Sequence, residues 1–122
     1  MMRLYYDPDC SKCREARRLL EQAGQQPTIV DYRERPLSAA DLAGLLDHLD
    51  VEPDALVRRH DPGADQWIAP DEPVLDRNRV IEILAIEPGL MQRPLLEVDK
   101  RALIARPPER VFELVPGSSD GA

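Results

Sequence analysis

The two cysteines of this chain are the residues whose type and spacing most clearly allow chemistry. Cys10 and Cys13 lie where the apolar run Leu4–Tyr6 gives way to a helical pattern that begins at Ser11. Turn-forming residues place Cys10 at the mouth of that helix, where unpaired N–H groups and the helix dipole favour an anionic sulfur. Because the thiolate is the nucleophilic form of cysteine, the sequence predicts that Cys10 is a nucleophile. Cys13 follows one turn later on the same face, within reach of a disulfide if the backbone allows it.

Two other interpretations of a Cys-x-x-Cys pair stay open. A zinc site needs two more ligands, and the candidates, His48 and His60, have no metal-like spacing. Inert cysteines would pack as small apolar side chains. The polar residues around Cys10 argue against this second interpretation, more strongly for Cys10 than for Cys13.

Length and charge restrict the function classes. With 122 residues the chain is expected to form one domain over residues 1–115, followed by a disordered tail over 116–122. A net charge of −7 gives no basic surface for nucleic acid, although a local positive pocket can coexist with it. No apolar stretch is long enough to cross a bilayer and no signal peptide is recognised, so we expect a cytoplasmic protein with a largely reduced Cys-x-x-Cys pair.

Apolar periodicity and turn residues divide the chain into strands and helices. Strands are expected over Arg3–Tyr6, Thr28–Tyr32, Leu95–Val98 and Ala102–Ala105, the last two as a hairpin. Helices are expected over Ser11–Ala23, Ala39–Leu49, a short segment from Pro53, Val74–Ile86 and Glu109–Leu114. The segment Asp61–Asp71 is expected to be a loop.

This order of elements predicts an α/β fold. It corresponds to a thioredoxin-like mixed sheet of about four strands with flanking helices and a helical insertion between strands 2 and 3. In such folds a proline before the third strand, often cis, approaches the active thiol, and Pro94 is at that position.

Four segments in this order resemble the glutaredoxin-dependent arsenate reductase family, which also contains the Spx-type redox regulators. The segments are YDPDCSKCR (6–14), LVRR (56–59), PGLMQRPL (88–95) and ARPPE (105–109). The resemblance covers residues 1 to about 115 and implies an enzyme that acts on an oxyanion through a thiol.

Carried over by position, the resemblance implies that Cys10 is the attacking cysteine and that Arg58, Arg93 and Arg106 bind the anion. Guanidinium groups are permanently charged and bidentate towards oxyanions, and they lower the pKa of a nearby thiol. Arg58 has Arg59 beside it, and either side chain could point inward. We expect Arg14 to add positive field and Pro94 to support the site.

The implied reaction reduces arsenate to arsenite without a metal or a bound cofactor. The Cys10 thiolate attacks As(V) and expels water, glutathione takes the sulfur into a mixed disulfide, and glutaredoxin restores the thiol as arsenite leaves. The expected partners are therefore a small arsenate-like oxyanion and glutaredoxin or thioredoxin, with no nucleic acid bound directly and no membrane.

Two departures from the reductase pattern support an alternative. The histidine that many family members carry in this turn is absent, and Asp7 would oppose a thiolate if it pointed at it. Cys13 offers an internal resolving thiol, and such a pair is the redox switch of the Spx-type regulators, which bind RNA polymerase. The segment at Arg106 matches the reductases instead, so the sequence favours the enzyme over a regulator switched by a Cys10–Cys13 disulfide.

Overall fold

The computed structural model describes residues 1–115, built around a four-stranded mixed sheet in the order β2-β1-β3-β4. The strands are β1 Met2–Tyr5, β2 Thr28–Val30, β3 Leu95–Val98 and β4 Arg101–Ile104. β1 pairs in parallel with β2 and antiparallel with β3, and β3 pairs antiparallel with β4. The predicted α/β class with a mixed sheet of four strands is confirmed. The predicted tail over 116–122 lies outside the described residues.

In the described part of the chain, three α-helices and four 3₁₀ helices surround the sheet. The α-helices are α1 Ser11–Gln22, α2 Ala39–His48 and α3 Arg77–Ile86, and the 3₁₀ helices are Pro53–Leu56, Pro62–Gln66, Pro88–Leu90 and Pro108–Glu113. The helical insertion between the second and third strands therefore holds α2, α3 and three of the 3₁₀ helices, as predicted. Within residues 1–115, no helix has both the length and the apolar character needed to cross a membrane.

Alternating side chains give the sheet two buried faces. One face packs against α1 and the Pro108–Glu113 helix through Leu4, Ala16, Leu20, Leu96, Leu103 and Val111. The other face packs against α2 and α3 through Tyr5, Leu42, Leu45, Val80, Leu84 and Leu95. Burying each of these leucines fully contributes roughly 1.5–3 kcal/mol to the stability of the fold. Both packed layers therefore hold the strands in place, including the strand ends next to the cysteines.

Several element boundaries differ from the predicted ones. β1 and β4 are each displaced by one residue, and β2 ends at Val30 because Asp31–Glu34 form a turn. α3 begins at Arg77 rather than Val74, because the Asp76 side chain accepts a hydrogen bond from the Arg79 amide and caps the helix there. The last helix and part of the Asp61–Asp71 loop are 3₁₀ helices.

A buried polar cluster joins α2 to β1 and β3 away from the cysteines. Glu97, 3% exposed, accepts from Tyr5 Oη at 2.8 Å and from Arg3 Nη1 at 3.3 Å. Its other oxygen lies 2.7 Å from His48 Nδ1. His48, at the end of α2, thus has its ring held by a buried carboxylate rather than free at the helix surface.

Candidate active site

The two thiols sit at the start of α1 in different surroundings. Cys10 is the N-cap residue, with φ −95° and ψ 119°, and its side chain is half-buried. Cys13, one turn later, is fully buried. Both thiols are free.

The pKa of the Cys10 thiol is lower than that of an ordinary cysteine. Partial burial opposes ionisation, but the amide of Cys13, its thiol, the amide of Lys12 and the charge of Arg93 together outweigh it. The Cys10 side chain makes no capping hydrogen bond, so the two amides act on the sulfur as nearby dipoles of the open helix end.

The pKa of the Cys13 thiol is raised to about 12, mainly by burial. A negative charge on Cys10 raises it further, while the Asp7 amide, which donates to Cys13 Sγ at 3.5 Å, partly offsets these effects. Near neutral pH the pair therefore holds one ionisable sulfur and one protonated sulfur beside it.

Asp7, whose carboxylate would oppose the thiolate if it pointed at the sulfur, is buried and ion-paired. Its side chain accepts from Arg33 Nη1 at 3.0 Å, lies 3.4 Å from Arg93 Nη2, and accepts from the Asp9 amide at 3.0 Å. Burial alone would raise the pKa of Asp7, but these contacts outweigh it and lower the pKa. The negative charge of Asp7 is thus balanced by the two arginines. We call the turn from Asp7 to Cys10 the cysteine turn.

Arg93 is held on the turn before β3 by backbone acceptors as well as by Asp7. Its Nη1 donates to the carbonyl of Gly89 at 2.6 Å and lies 3.2 Å from that of Met91. The Arg93 and Arg106 peptide bonds to the prolines that follow them are both cis, in agreement with the expectation for Pro94. Arg93 is the matched arginine whose charge reaches Cys10.

Arg58 and Arg106 line a shared cavity of about 600 Å³, together with His60 and Gln92. Arg58 reaches it because a bridge between Val57 and Met91 pairs its segment with the Arg93 turn. Arg106 Nη1 donates to the Arg93 carbonyl at 2.8 Å.

Arg93 itself lines a neighbouring cavity of about 260 Å³ with Arg33 and Asp61. Asp61 also lines the larger cavity, and its carboxylate is 3.9 Å from Arg58 Nε. The three matched arginines therefore lie on adjoining segments but open into two cavities, and Cys10 is not among the described residues that line either one.

Arg59 and Arg58 have different partners, although sequence alone did not distinguish them. Arg59 Nη1 is 2.9 Å from Asp54 Oδ1, and its other contacts are the carbonyls of Glu72 at 2.7 Å and Pro73 at 3.2 Å. Arg59 thus stabilises a loop. The ion pair of Arg58 with Asp61 is longer than that of Arg59 with Asp54, so the Arg58 guanidinium is held less tightly.

Arg14, expected to add positive field, contacts the backbone of the turn before Cys10. Its Nη1 donates to the Pro8 carbonyl at 2.7 Å, and the Cys10 amide donates to the Asp7 carbonyl at 3.0 Å. These two bonds fix the backbone that presents Cys10.

Arg33 is a site residue that was not among those predicted from the sequence. It follows β2, while Asp7 follows β1, and these two strands are parallel neighbours. The carboxyl ends of parallel neighbours meet at one sheet edge, so the strand–helix–strand order at the start of the chain is the signal that could have placed Arg33 beside Asp7.

The described part of the chain, residues 1–115, contains no cluster of three His, Cys, Asp or Glu side chains that could hold a metal ion. His48 is engaged by Glu97, and His60 lines the arginine cavity, so the two histidines lie apart from the cysteine pair.

Comparison with known proteins gives consistent results over nearly the whole chain. The ArsC family model matches residues 5–114. The chain is 33% identical over 114 residues to the uncharacterized protein YfgD of Escherichia coli K12, covering 93% of this chain and 96% of that protein. It is 28% identical over 120 residues to the arsenate reductase of the same organism, covering 98% of this chain and 84% of the reductase.

A solved structure gives the same result for the fold. The arsenate reductase from Vibrio cholerae superposes with a TM-score of 0.86 at 30% identity, covering 93% of this chain and 97% of that one. The thioredoxin-like architecture predicted from the order of elements is thereby confirmed. A family match over residues 5–114 and this structural agreement lead to one conclusion: the chain belongs to the ArsC family.

Proposed function

We propose that this protein is an arsenate reductase that uses Cys10 as its nucleophile. The observation that carries the proposal is the half-buried Cys10 sulfur at the open end of α1, whose pKa the neighbouring amides and Arg93 lower despite its burial. Membership of the ArsC family and the similarity to arsenate reductases support the choice of substrate.

In the proposed first step the Cys10 thiolate attacks As(V), a sulfur–arsenic bond forms, and an arsenate oxygen leaves as water after protonation. Arg58 and Arg106 hold the oxyanion from their cavity, and Arg93 stabilises negative charge nearest the sulfur. Their permanent charge and paired donors suit a tetrahedral oxyanion.

In the second step a thiol attacks the Cys10 sulfur, forming a disulfide and releasing arsenic as As(III), with the two electrons supplied by the two sulfurs. Glutathione is the expected attacking thiol, and glutaredoxin then reduces the mixed disulfide. Cys13 can take the same role internally. Once Cys10 is bonded to arsenic it no longer carries the negative charge that helps raise the pKa of Cys13, so Cys13 ionises more readily at that stage.

The test is arsenate-dependent oxidation of NADPH with glutathione, glutaredoxin and glutathione reductase, compared with thioredoxin and its reductase. The wild type should turn over in at least one system, and Cys10→Ser should abolish turnover while leaving the circular dichroism spectrum unchanged. An inactive wild type in both systems, or an active Cys10→Ser, would contradict the proposal.

The anion-binding role is tested by charge removal at two positions with a matched control. Arg58→Gln and Arg106→Gln should each lower kcat/KM for arsenate by about 1.5–3 kcal/mol in transition-state terms, as expected for a charged hydrogen bond. Arg35→Gln removes an exposed charge from the loop after β2 and should leave kcat/KM nearly unchanged. Equal effects of all three would show that only net charge matters.

A second candidate, a redox-sensing regulator that binds RNA polymerase, is favoured by one observation. Cys13 follows Cys10 by one helical turn, and its thiol is one of the groups that lower the pKa of Cys10, so oxidation has a nearby sulfur with which to close a Cys10–Cys13 disulfide. Co-purification with RNA polymerase that depends on reducing or oxidising conditions, together with no arsenate turnover, would select this candidate.

A further inference from the structure

We propose that Arg33 is a positioning residue for Cys10: by sharing the buried carboxylate of Asp7 with Arg93, it leaves positive charge of Arg93 to act on the Cys10 sulfur. The inference deepens the proposed function, because it concerns the same thiol, but it predicts a property of the sulfur that can be measured without any arsenate.

The contacts of Asp7 carry the first step. Arg33 Nη1 at 3.0 Å and Arg93 Nη2 at 3.4 Å approach the same oxygen, Oδ2. The other oxygen accepts the Asp9 amide at 3.0 Å. One buried carboxylate, 3% exposed, thus faces two guanidinium groups, and the three side chains together carry one net positive charge.

The second step is what happens without Arg33. Asp7 and Arg93 alone form a neutral pair, and the opposite field of the carboxylate cancels much of the effect of Arg93 on a nearby thiolate. Asp7 is only three residues from Cys10, and its backbone carbonyl accepts the Cys10 amide. A second arginine beside Asp7 gives this group of side chains a net positive charge again.

Packing fixes Arg33 in this place. Its guanidinium lies 3.7–3.8 Å from the position that a Cβ on Gly89 would occupy, and the carbonyl of Gly89 accepts from Arg93. Arg33 thus bridges the end of β2, the cysteine turn and the Pro88–Leu90 helix. Its side chain is 49% exposed, so replacing it opens no core cavity.

The charged and titratable groups around Cys10 come from four segments. They are Lys12, Cys13 and Arg14 on α1, Asp7 and Asp9 in the preceding turn, Tyr32 and Arg33 after β2 and Arg93 before β3. Of these, Arg33 is the group that acts on the sulfur through Asp7. The effect of replacing Arg33 should therefore depend on the charge of Asp7.

The experiment measures the rate of Cys10 alkylation by iodoacetamide against pH, with the modified cysteine identified by peptide mass. Arg33→Gln should move the midpoint of the rate profile to higher pH and slow alkylation below the midpoint about threefold or more. Arg35→Gln is the matched control, since it removes the same charge from the same loop and, among residues 1–115, Arg35 has no ion pair. It should leave the profile nearly unchanged.

A double-mutant cycle separates the proposed route from a general effect. Asp7→Asn keeps an acceptor for the Asp9 amide but removes the charge, so in that background Arg33→Gln should do no more than Arg35→Gln. Equal effects of Arg33→Gln and Arg35→Gln, or an undiminished Arg33→Gln effect in the Asp7→Asn background, would overturn the proposal.

Two further measurements keep the result interpretable. Circular dichroism and thermal unfolding check that Arg33→Gln folds. If it does not, Arg33→Lys, which keeps the charge, should retain the wild-type pH profile of Cys10 alkylation. A folded Arg33→Lys whose profile moves to higher pH would refute the charge argument. Because the assay contains no arsenate, a protein that fails to reduce arsenate yet passes this cycle would refute the proposed function and leave the role of Arg33 intact.

Discussion

At the residue scale, the pKa values of two cysteines on one helical turn are shifted in opposite directions. Cys10 is half-buried at the helix start, next to two amides and within the field of Arg93, whereas Cys13 is completely enclosed by the core. The same burial that raises the pKa of Cys13 to about 12 keeps it protonated until Cys10 has reacted. The geometry therefore separates a first nucleophile from a second one.

This separation predicts the product of oxidation. Wild-type protein treated with one equivalent of hydrogen peroxide and then with glutathione should form the internal disulfide, because Cys13 is closer than any thiol in solution. Cys13→Ser should instead accumulate a glutathione adduct at Cys10. Intact mass distinguishes the two products, and a wild type that forms only the adduct would show that Cys13 does not resolve Cys10.

The sequence contained the cysteine position and the four motif segments, but not the ion pairs between them. The sequence indicates that Asp7 would oppose the thiolate if it pointed at the sulfur, but it does not show where the carboxylate points or which groups pair with it. Arg33 and Arg93 reach Asp7 from segments 26 and 86 residues away, and only the register of parallel β1 and β2 brings the first of them there. Charge compensation of this kind is a tertiary property.

At the element scale, side-chain caps decide where two of the α-helices begin. Ser38 and Asp41 form a reciprocal capping box, and α2 begins at the predicted residue. α3 was predicted three residues early because Val74 and Leu75 fit the apolar period, while the cap at Asp76 decided the start. The predicted final α-helix is a 3₁₀ helix, a distinction that apolar spacing over six residues does not resolve.

A glycine inside α2 gives a prediction at this scale. Apart from its chain neighbours and the helix's own backbone, no atom of residues 1–115 lies within 4 Å of the position that a Cβ on Gly44 would occupy, and its φ is not positive. Gly44→Ala should therefore raise the free energy of unfolding by about 0.5–1 kcal/mol, because alanine loses less backbone entropy in a helix. Urea-induced unfolding measures the change.

Gly24 is the matched control for that substitution. It follows α1 with φ +81°, a conformation that L residues rarely adopt. Gly24→Ala should destabilise the protein by roughly 1–2 kcal/mol, although open space surrounds this position too. A gain at Gly24 or a loss at Gly44 would show that conformational preference does not decide these sites.

At the scale of the whole molecule, the polar cluster around Glu97 ties α2 to the sheet. Glu97→Ala removes the acceptor of the buried Tyr5 hydroxyl together with the contacts to His48 and Arg3. We expect a loss of about 2–4 kcal/mol in the free energy of unfolding, as for breaking a buried charged network.

Thermal or urea unfolding checks this prediction against an exposed glutamate. Glu109→Ala removes the same charge from a surface position and should change stability by less than about 0.5 kcal/mol. Since the cluster lies outside the cysteine site, Glu97→Ala should leave the pH profile of Cys10 alkylation unchanged wherever the protein is folded. A Glu97→Ala variant as stable as Glu109→Ala would contradict the structural role.

The central claim is that Cys10 is a thiolate favoured by its surroundings, and the thiolate absorbance in the ultraviolet tests it most directly. The difference in absorbance between wild type and Cys10→Ser, followed against pH, should show one sulfur ionising below the ordinary cysteine value of about 8.5, because its neighbours stabilise the anion. Cys13 should contribute no ionisation in that range. A Cys10 midpoint at or above the ordinary value would contradict the account.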